Sequence, residues 1–222
     1  MNNILALFDL DHTLIPADSD LCWTKFLIDK GVIEKENTRV NENFFTQYND
    51  GCLDIYEFLS FQLKPLRSIP RAKLTSLRNE FIEKSILPII TPNARKIVNN
   101  HLNKGDLCAI VTATNEFITE PISKIFKIPT LIATKLETHP SGDFTGKADG
   151  IPNFREGKVT RVLQWLATKN LGLESFDKSF FYSDSINDLP LLSRVTNPVA
   201  MNPDEKLHAH ALSLGWKIKE IF

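Results

Sequence analysis

Five apolar residues, Ile4-Leu5-Ala6-Leu7-Phe8, run directly into Asp9-Leu10-Asp11-His12-Thr13. No other stretch constrains the chain as much. An apolar run this short, closed by an acidic pair, reads as a strand buried on both faces, as in a parallel sheet. Asp9 and Asp11 stand two apart, so on extended backbone their side chains leave on the same side. Two carboxylates crowded at a strand end repel each other unless a cation sits between them or one holds a proton. A buried acid with no partner is costly. A strand followed by a solvated acidic turn would carry the same Asp-x-Asp pattern, so the rest of the chain has to decide between the two.

Residues 16 to 88 carry helical spacing and no strand pattern. Asp18 or Ser19 can cap a helix running to Lys30 and ended by Gly31, with Cys22, Trp23, Phe26 and Leu27 on its apolar face. A second helix carries Val40, Phe44, Phe45 and Tyr48. A third carries Ile55, Phe58, Leu59 and Leu63 before Pro65, and a fourth carries Leu74, Leu77, Phe81 and Ile82 to about Ile86. The pattern changes at Thr91-Pro92, an N-cap with proline at the first helical position. From about 89 onward, short apolar runs alternate with helices. Strands are expected at Leu107–Val111, Thr130–Ala133, Ser179–Tyr182 and Val199–Met201, with a last one near Trp216–Ile221. A hairpin is expected around Pro140-Ser141-Gly142-Asp143, and Asn202-Pro203 is expected to cap the last helix. Alternation of this kind predicts an α/β fold, a Rossmann-like parallel sheet core with crossover helices. The helical cap is inserted after the first strand. The predicted division is a core of residues 1–15 and 89–222 and a cap of residues 16–88.

Composition excludes several classes. The chain has 222 residues, 42% hydrophobic and 24% charged, which suits a folded protein with a substantial core. A net charge of −1 offers no general attraction to nucleic acid or anionic lipid. Cys22, Cys52 and Cys108 read as reduced thiols of a cytoplasmic protein. His208 and His210 lie two apart with no cysteine nearby, so no zinc-ligand spacing is present. The first apolar run is too short for a secretory leader, and nothing reaches the length of a membrane span. Oligomeric state is not legible.

Ligands in open α/β sheets bind at the carboxyl ends of the strands. Asp9 and Asp11 close the first strand, Thr112 follows Val111, and Asp184 and Asp188 follow Tyr182. Lys158 stands at the start of a helix preceding that strand. Four acids, one hydroxyl and one ammonium would converge on one edge. Such a set calls for a hard cation, and oxygen ligands with one-sided access favour Mg²⁺, which accepts phosphate as a further ligand. A metal, a lysine and a hydroxyl together are equipment for holding a phosphoryl group.

Phe8-Asp9-Leu10-Asp11-His12-Thr13, Val111-Thr112-Ala113-Thr114, Gly157-Lys158 and Tyr182-Ser183-Asp184-Ser185-Ile186-Asn187-Asp188-Leu189-Pro190 resemble, in order, the four motifs of the haloacid dehalogenase-like (HAD) hydrolases. The helical insert resembles the cap of the phosphoserine phosphatase-like branch. The resemblance covers nearly the whole chain. It implies a Mg²⁺-dependent phosphatase acting on a small phosphomonoester, with Asp9 as the nucleophile that forms an acyl-phosphate. Asp11 would protonate the leaving alcohol and then take a proton from water. Thr112 and Ala113 would meet the phosphoryl oxygens, and Lys158 would neutralise charge on the phosphate and on Asp9. The metal would be held by Asp9, the backbone carbonyl of Asp11, and Asp184. Asp188, Asn187 and Thr13 would support this set, Thr13 by fixing the turn. On alternation, His12 is expected to point away from Asp9 and Asp11.

The insert decides the substrate. Phosphoserine phosphatases carry an acid shortly after the first motif that meets the substrate ammonium, and Asp18 stands where that acid is expected. An acid there also serves as a helix cap, and both readings stay open. The branch also carries a cap arginine for the substrate carboxylate. The matching stretch here, Phe58-Leu59-Ser60-Phe61-Gln62, has none, and Arg67 and Arg71 lie further along. An amine without a carboxylate, such as histidinol phosphate, becomes an alternative to phosphoserine. A phosphotransferase and a non-enzymatic phosphate-binding module on the same scaffold are further alternatives.

Overall fold

The computed structural model describes residues 3–34 and 37–222. Strand β1 (Ile4–Phe8) lies at the centre of a seven-stranded sheet. Its neighbours are β2 (Leu107–Asn115) and β5 (Lys178–Ser183), both parallel to it. Beyond β2 lies β3 (Thr130–Thr138), then the antiparallel edge strand β4 (Phe144–Asp149). Beyond β5 lie β6 (Asn197–Met201) and β7 (Lys217–Lys219), both parallel. The central strand is buried on both faces, as its unbroken apolar run requires. Ala6 and Phe8 join the core on one face, and Leu5 and Leu7 join a second core on the other.

Between β1 and β2 the chain forms α1 (Ser19–Asp29), α2 (Asn37–Asp50), α3 (Ile55–Gln62), the short α4 (Lys64–Ser68) and α5 (Arg71–Phe81). A π-helical turn over Ile82–Ile86 prolongs α5. Helix α6 (Pro92–Leu102) then leads into β2, with Thr91 capping it as expected. The remaining helices are α7 (Glu116–Phe126), α8 (Glu156–Ala167), the short α9 (Leu189–Leu192) and α10 (Glu205–Leu214). The face carrying Leu5 and Leu7 packs against residues of α8, α9 and α10. The opposite face packs against α6, α7 and the insert. Within that second layer, Trp23 of α1 stacks on Phe26 at 5.8 Å and meets Phe81 of α5 edge-on at 5.3 Å.

Four boundaries differ from the sequence reading, each for a local reason. Pro65, read as a terminator, sits in the first turn of α4, where its missing N–H costs nothing. The cap of α10 is Asp204, whose carboxylate accepts from the Leu207 N–H, and not Asn202. Asn202 has φ 46° and ties the segment to His12 O and the Ile221 N–H instead. Strands β2 and β3 run past Val111 and Ala133 because β3 continues into the hairpin with β4. Their register shifts between Val111 and Asn115. At that shift the buried amide of Asn153 donates to both Thr112 O and Ile132 O at 2.8 Å, satisfying carbonyls that the ladder leaves open.

The aromatic layer under the insert should dominate its stability. Phe81 is fully buried against Trp23 and Phe26. Phe81→Ala is expected to cost about 3–5 kcal/mol in urea unfolding, the range for emptying an aromatic core position. A loss under about 1 kcal/mol would mean that the layer collapses around the gap.

Candidate active site

The carboxyl ends of β1, β2 and β5 bring the expected residues together. Asp9 directly follows β1, and its N–H donates to Tyr182 O at 2.9 Å, which holds it level with the end of β5. Gly157-Lys158 lies in the first turn of α8. Gly157 is required there because a Cβ would stand 2.0 Å from Pro152 O. From this turn the Lys158 ammonium donates to Asp9 Oδ1 and to Asp188 Oδ2, each at 2.7 Å. Ser183 Oγ donates to the same Asp188 oxygen at 2.7 Å. Lys158 is 3% exposed. Burial alone would favour its neutral form, but the two carboxylates more than offset this and hold its pKa above the ordinary lysine value.

Thr13 stands on the far side of Asp9. Its hydroxyl lies 3.1 Å from Asp184 Oδ1 and 3.4 Å from Asp9 Oδ2, and it accepts from the Asp184 N–H at 3.0 Å. One hydroxyl has one proton, so it cannot satisfy both acids. Burial raises the Asp184 pKa well above the usual carboxylate range, and Asp9 and Asp188 raise it further. Burial raises Asp9 too, against the lowering effect of Lys158. With the Lys158 ammonium on Asp9 Oδ1, Asp9 Oδ2 and Asp184 Oδ1 are left to one hydroxyl proton, a set short of positive charge. Hard oxygen ligands short of charge suit a divalent cation of the Mg²⁺ type.

Asp11 has a different environment. It accepts from the Ser19 N–H at 2.9 Å and from Thr114 Oγ1 at 2.8 Å. Burial, then the nearby Asp18 charge, push its pKa up to about 6. Asp9 is held against an ammonium while Asp11 is held by neutral donors, so the two neighbouring acids have different surroundings.

Thr112 is buried and lines the cavity, its hydroxyl accepting from the Thr114 N–H at 3.2 Å. Ala113 also lines it, with its carbonyl accepting from Thr134 Oγ1. Asp18 caps α1 through the Leu21 N–H at 2.8 Å and also faces the cavity, so the two readings of this residue are compatible. Asn187 lies at the junction with the insert, away from the carboxylates. Its Nδ2 donates to Tyr48 O, and its Oδ1 accepts from Arg155, whose Nη2 also donates to Gly51 O at 2.6 Å. His12 does not point away: its backbone has φ 53°, which ends the alternation, and it lines the cavity. Arg71 is occupied elsewhere, its guanidinium 3.8 Å from the Phe144 ring centroid.

The cavity has a volume of about 110 Å³ between the strand ends and α2 and α3. Among its lining residues, Thr114, Asp20 and Asn41 were given no role from sequence. Thr114 holds Asp11. Asp20 accepts from Asn115 Nδ2 at 3.2 Å, and burial with Asp18 and Asp11 nearby raises its pKa well above the usual range. Asn41 enters from α2. An acid in the first turn of a helix ordinarily complements the dipole at the surface. Burial of Asp20 follows from the docking of α1 on the end of β2, which no local pattern shows.

The haloacid dehalogenase-like hydrolase family model matches residues 6–193. Over 215 residues the chain is 45% identical to a histidinol-phosphatase of Neisseria meningitidis serogroup C (strain 8013), covering 96% of this chain and 97% of that one. A crystal structure of a protein of unknown function from Bordetella pertussis Tohama I superposes with a TM-score of 0.94 at 45% identity, covering both chains in full. A substrate-bound phosphoserine phosphatase superposes with a TM-score of 0.69 at 17% identity, over 99% of this chain and 93% of that one. That likeness is one of fold.

The carboxylate–lysine–carboxylate arrangement should be energetically coupled. Lys158→Met leaves two buried acids without their counter-charge and is expected to cost about 3–5 kcal/mol of stability. Adding Asp188→Asn to that variant removes one acid and should restore at least ~1 kcal/mol in a double-mutant cycle. Strict additivity of the two changes would mean that the ammonium does not hold Asp188.

Proposed function

The chain belongs to the haloacid dehalogenase-like hydrolases and is a phosphatase of that type, and from this premise we propose that it hydrolyses histidinol phosphate through a phosphoryl-enzyme on Asp9. Asp9 attacks phosphorus; the new Oδ–P bond forms as the ester P–O bond breaks, and the leaving alkoxide takes its proton from Asp11. Asp11, now a carboxylate, takes a proton from water as that water attacks phosphorus. The acyl P–O bond breaks, releasing phosphate and restoring Asp9. Lys158 keeps Asp9 ionised and oriented, and balances charge on the phosphoryl oxygens. Thr112 donates to one of those oxygens, with Ala113 beside it. A Mg²⁺ ion fits the charge-deficient set of Asp9, Asp184 and the Asp11 carbonyl, and when bound it supplies further charge neutralisation at the phosphoryl group. Thr13 and Asp188 hold the acids in place. Residues 16–88 serve as the cap over a core of residues 1–15 and 89–222.

One observation carries the choice of substrate. Lys158 is the only lysine or arginine among the described residues that line the cavity, and the acids Asp18 and Asp20 line it as well. A phosphate has a counter-charge here and an ammonium has two acids, but a substrate carboxylate would face acids with no cation. Phosphoserine brings that carboxylate; histidinol phosphate does not. The 45% identity to a histidinol-phosphatase over nearly both full chains supports the same reading.

Phosphate release from histidinol phosphate, phosphoserine and an aryl phosphate tests this. The expected kcat/KM for histidinol phosphate exceeds that for phosphoserine by at least about tenfold, a difference of about 1.4 kcal/mol. EDTA should abolish turnover, Mg²⁺ should restore it, and Ca²⁺, with its looser geometry, should not. A preference for phosphoserine, or full activity after exhaustive chelation, would contradict the proposal.

Asp18→Asn separates capping from recognition, because asparagine caps nearly as well but carries no charge. The variant is expected to raise KM for histidinol phosphate and to leave the aryl phosphate within about twofold; the loss could approach ~2 kcal/mol for a desolvated pair. Equal losses on both substrates would leave Asp18 with its capping role alone.

A further inference from the structure

The wall of the cavity built from α2 and α3 is largely apolar. Phe44 of α2 and Phe58 of α3 meet edge-on at 5.5 Å and 76°, and both line the cavity. Two amides interrupt this wall, and Gln62 of α3 accepts from Thr24 Oγ1. Asn41, one helical turn before Phe44, is 3% exposed and lines the same cavity. Among the described residues, neither its Oδ1 nor its Nδ2 has a hydrogen-bond partner.

An unpartnered buried amide is expensive, and native structures rarely leave both ends of one unsatisfied. Leucine would fill the same space without that cost. A ligand that brings a donor and an acceptor to the amide would remove it. The neighbours restrict the shape of such a ligand. An edge-to-face aromatic pair offers flat surfaces on which a planar ring can pack. The amide adds one acceptor and one donor at a fixed place and no charge. A neutral imidazole can meet either end of the amide: its N–H can donate to Oδ1, or its bare nitrogen can accept from Nδ2. A benzene ring fits the shape but leaves the amide unpaired.

We infer that Asn41 determines specificity by hydrogen bonding to a ring nitrogen of a heteroaromatic group packed against Phe44 and Phe58. With histidinol phosphate as substrate, that group is its imidazole; this identification rests on the proposed function, whereas the ring site rests on the wall itself. Phosphate and ring would then occupy different parts of the cavity, with Asp18 and Asp20 available to the ammonium.

The test uses the full-length protein with Mg²⁺ and competitive inhibition of aryl phosphate turnover. The inhibitors are histidinol and phenylalaninol, which share the amino-alcohol and differ in the ring nitrogens. In the unaltered protein, histidinol should bind at least about tenfold tighter, since a site built for hydrogen bonds discriminates against an analogue lacking them. Asn41→Leu should bring the ratio of the two inhibition constants close to one. The ratio is measured within each protein, so it does not depend on how much active enzyme the substitution leaves. Should the leucine variant fail to fold, Asn41→Ser supplies a smaller side chain and the same comparison. Equal inhibition by the two compounds in the unaltered protein, or a ratio unchanged by either substitution, would overturn the inference. Slow turnover of histidinol phosphate beside an Asn41-dependent preference for histidinol would instead refute the substrate and keep the ring site.

Discussion

The Lys158 ammonium stands 2.7 Å from Asp9 and 2.7 Å from Asp188, at a position 3% exposed to solvent. Three buried charges in this order force much of the surrounding structure. Asp9 must sit at the end of β1 and Asp188 just beyond β5, so these strands must be neighbours in register. The first turn of α8 must come close enough for Lys158 to reach both, which demands glycine at 157 against Pro152 O. With the ammonium committed to Asp9 Oδ1, the remaining negative charge gathers on the Thr13–Asp184 side. The site is therefore asymmetric, with a protein cation on one side and a deficit of positive charge on the other. That asymmetry is what the proposed metal site and phosphoryl chemistry draw on.

The insert supplies what the strand ends lack. It brings the aromatic wall, the Asn41 amide, and the start of α1 with Asp18 and Asp20. Its position over the site is held by polar contacts at the carboxyl end of α2, where Arg155 reaches Gly51 O and Asn187 reaches Tyr48 O. Asn187 directly precedes Asp188, and Arg155 directly precedes the helix α8 that carries Lys158. Loss of these contacts would release one wall of the cavity without touching the carboxylates. In the proposed reading, the chemistry and the choice of substrate reside on different parts of the chain, joined through these hydrogen bonds.

The central strand, its acidic pair and the alternation after residue 89 were legible because each is a local pattern with one physical meaning. An apolar run of five cannot be a surface strand, and Asp9 and Asp11 at its end cannot lie buried without partners. The same was true of Thr91-Pro92 before α6. What remained hidden depended on tertiary contact. Asp20 reads as a first-turn acid and Asn41 as a polar helix residue until α1 and α2 are docked. His12 was misread because its positive φ ends the alternation on which the reading relied. The cap of α10 fell on Asp204 because Asn202 is engaged with His12 and Ile221. Thr114 entered the sequence reading only as the end of the Val111–Thr114 stretch, although its hydroxyl donates to Asp11.

The central claim is that Asp9 itself receives the phosphoryl group. Rapid acid quenching during steady turnover of histidinol phosphate, followed by peptide mass spectrometry, measures this directly. The account predicts a phosphoryl adduct on Asp9, acid-stable and alkali-labile as an acyl-phosphate should be, and no adduct in the Asp9→Asn protein. Turnover with the phosphoryl group trapped on a different residue, or an Asp9→Asn protein that still releases phosphate at the unaltered rate, would contradict it.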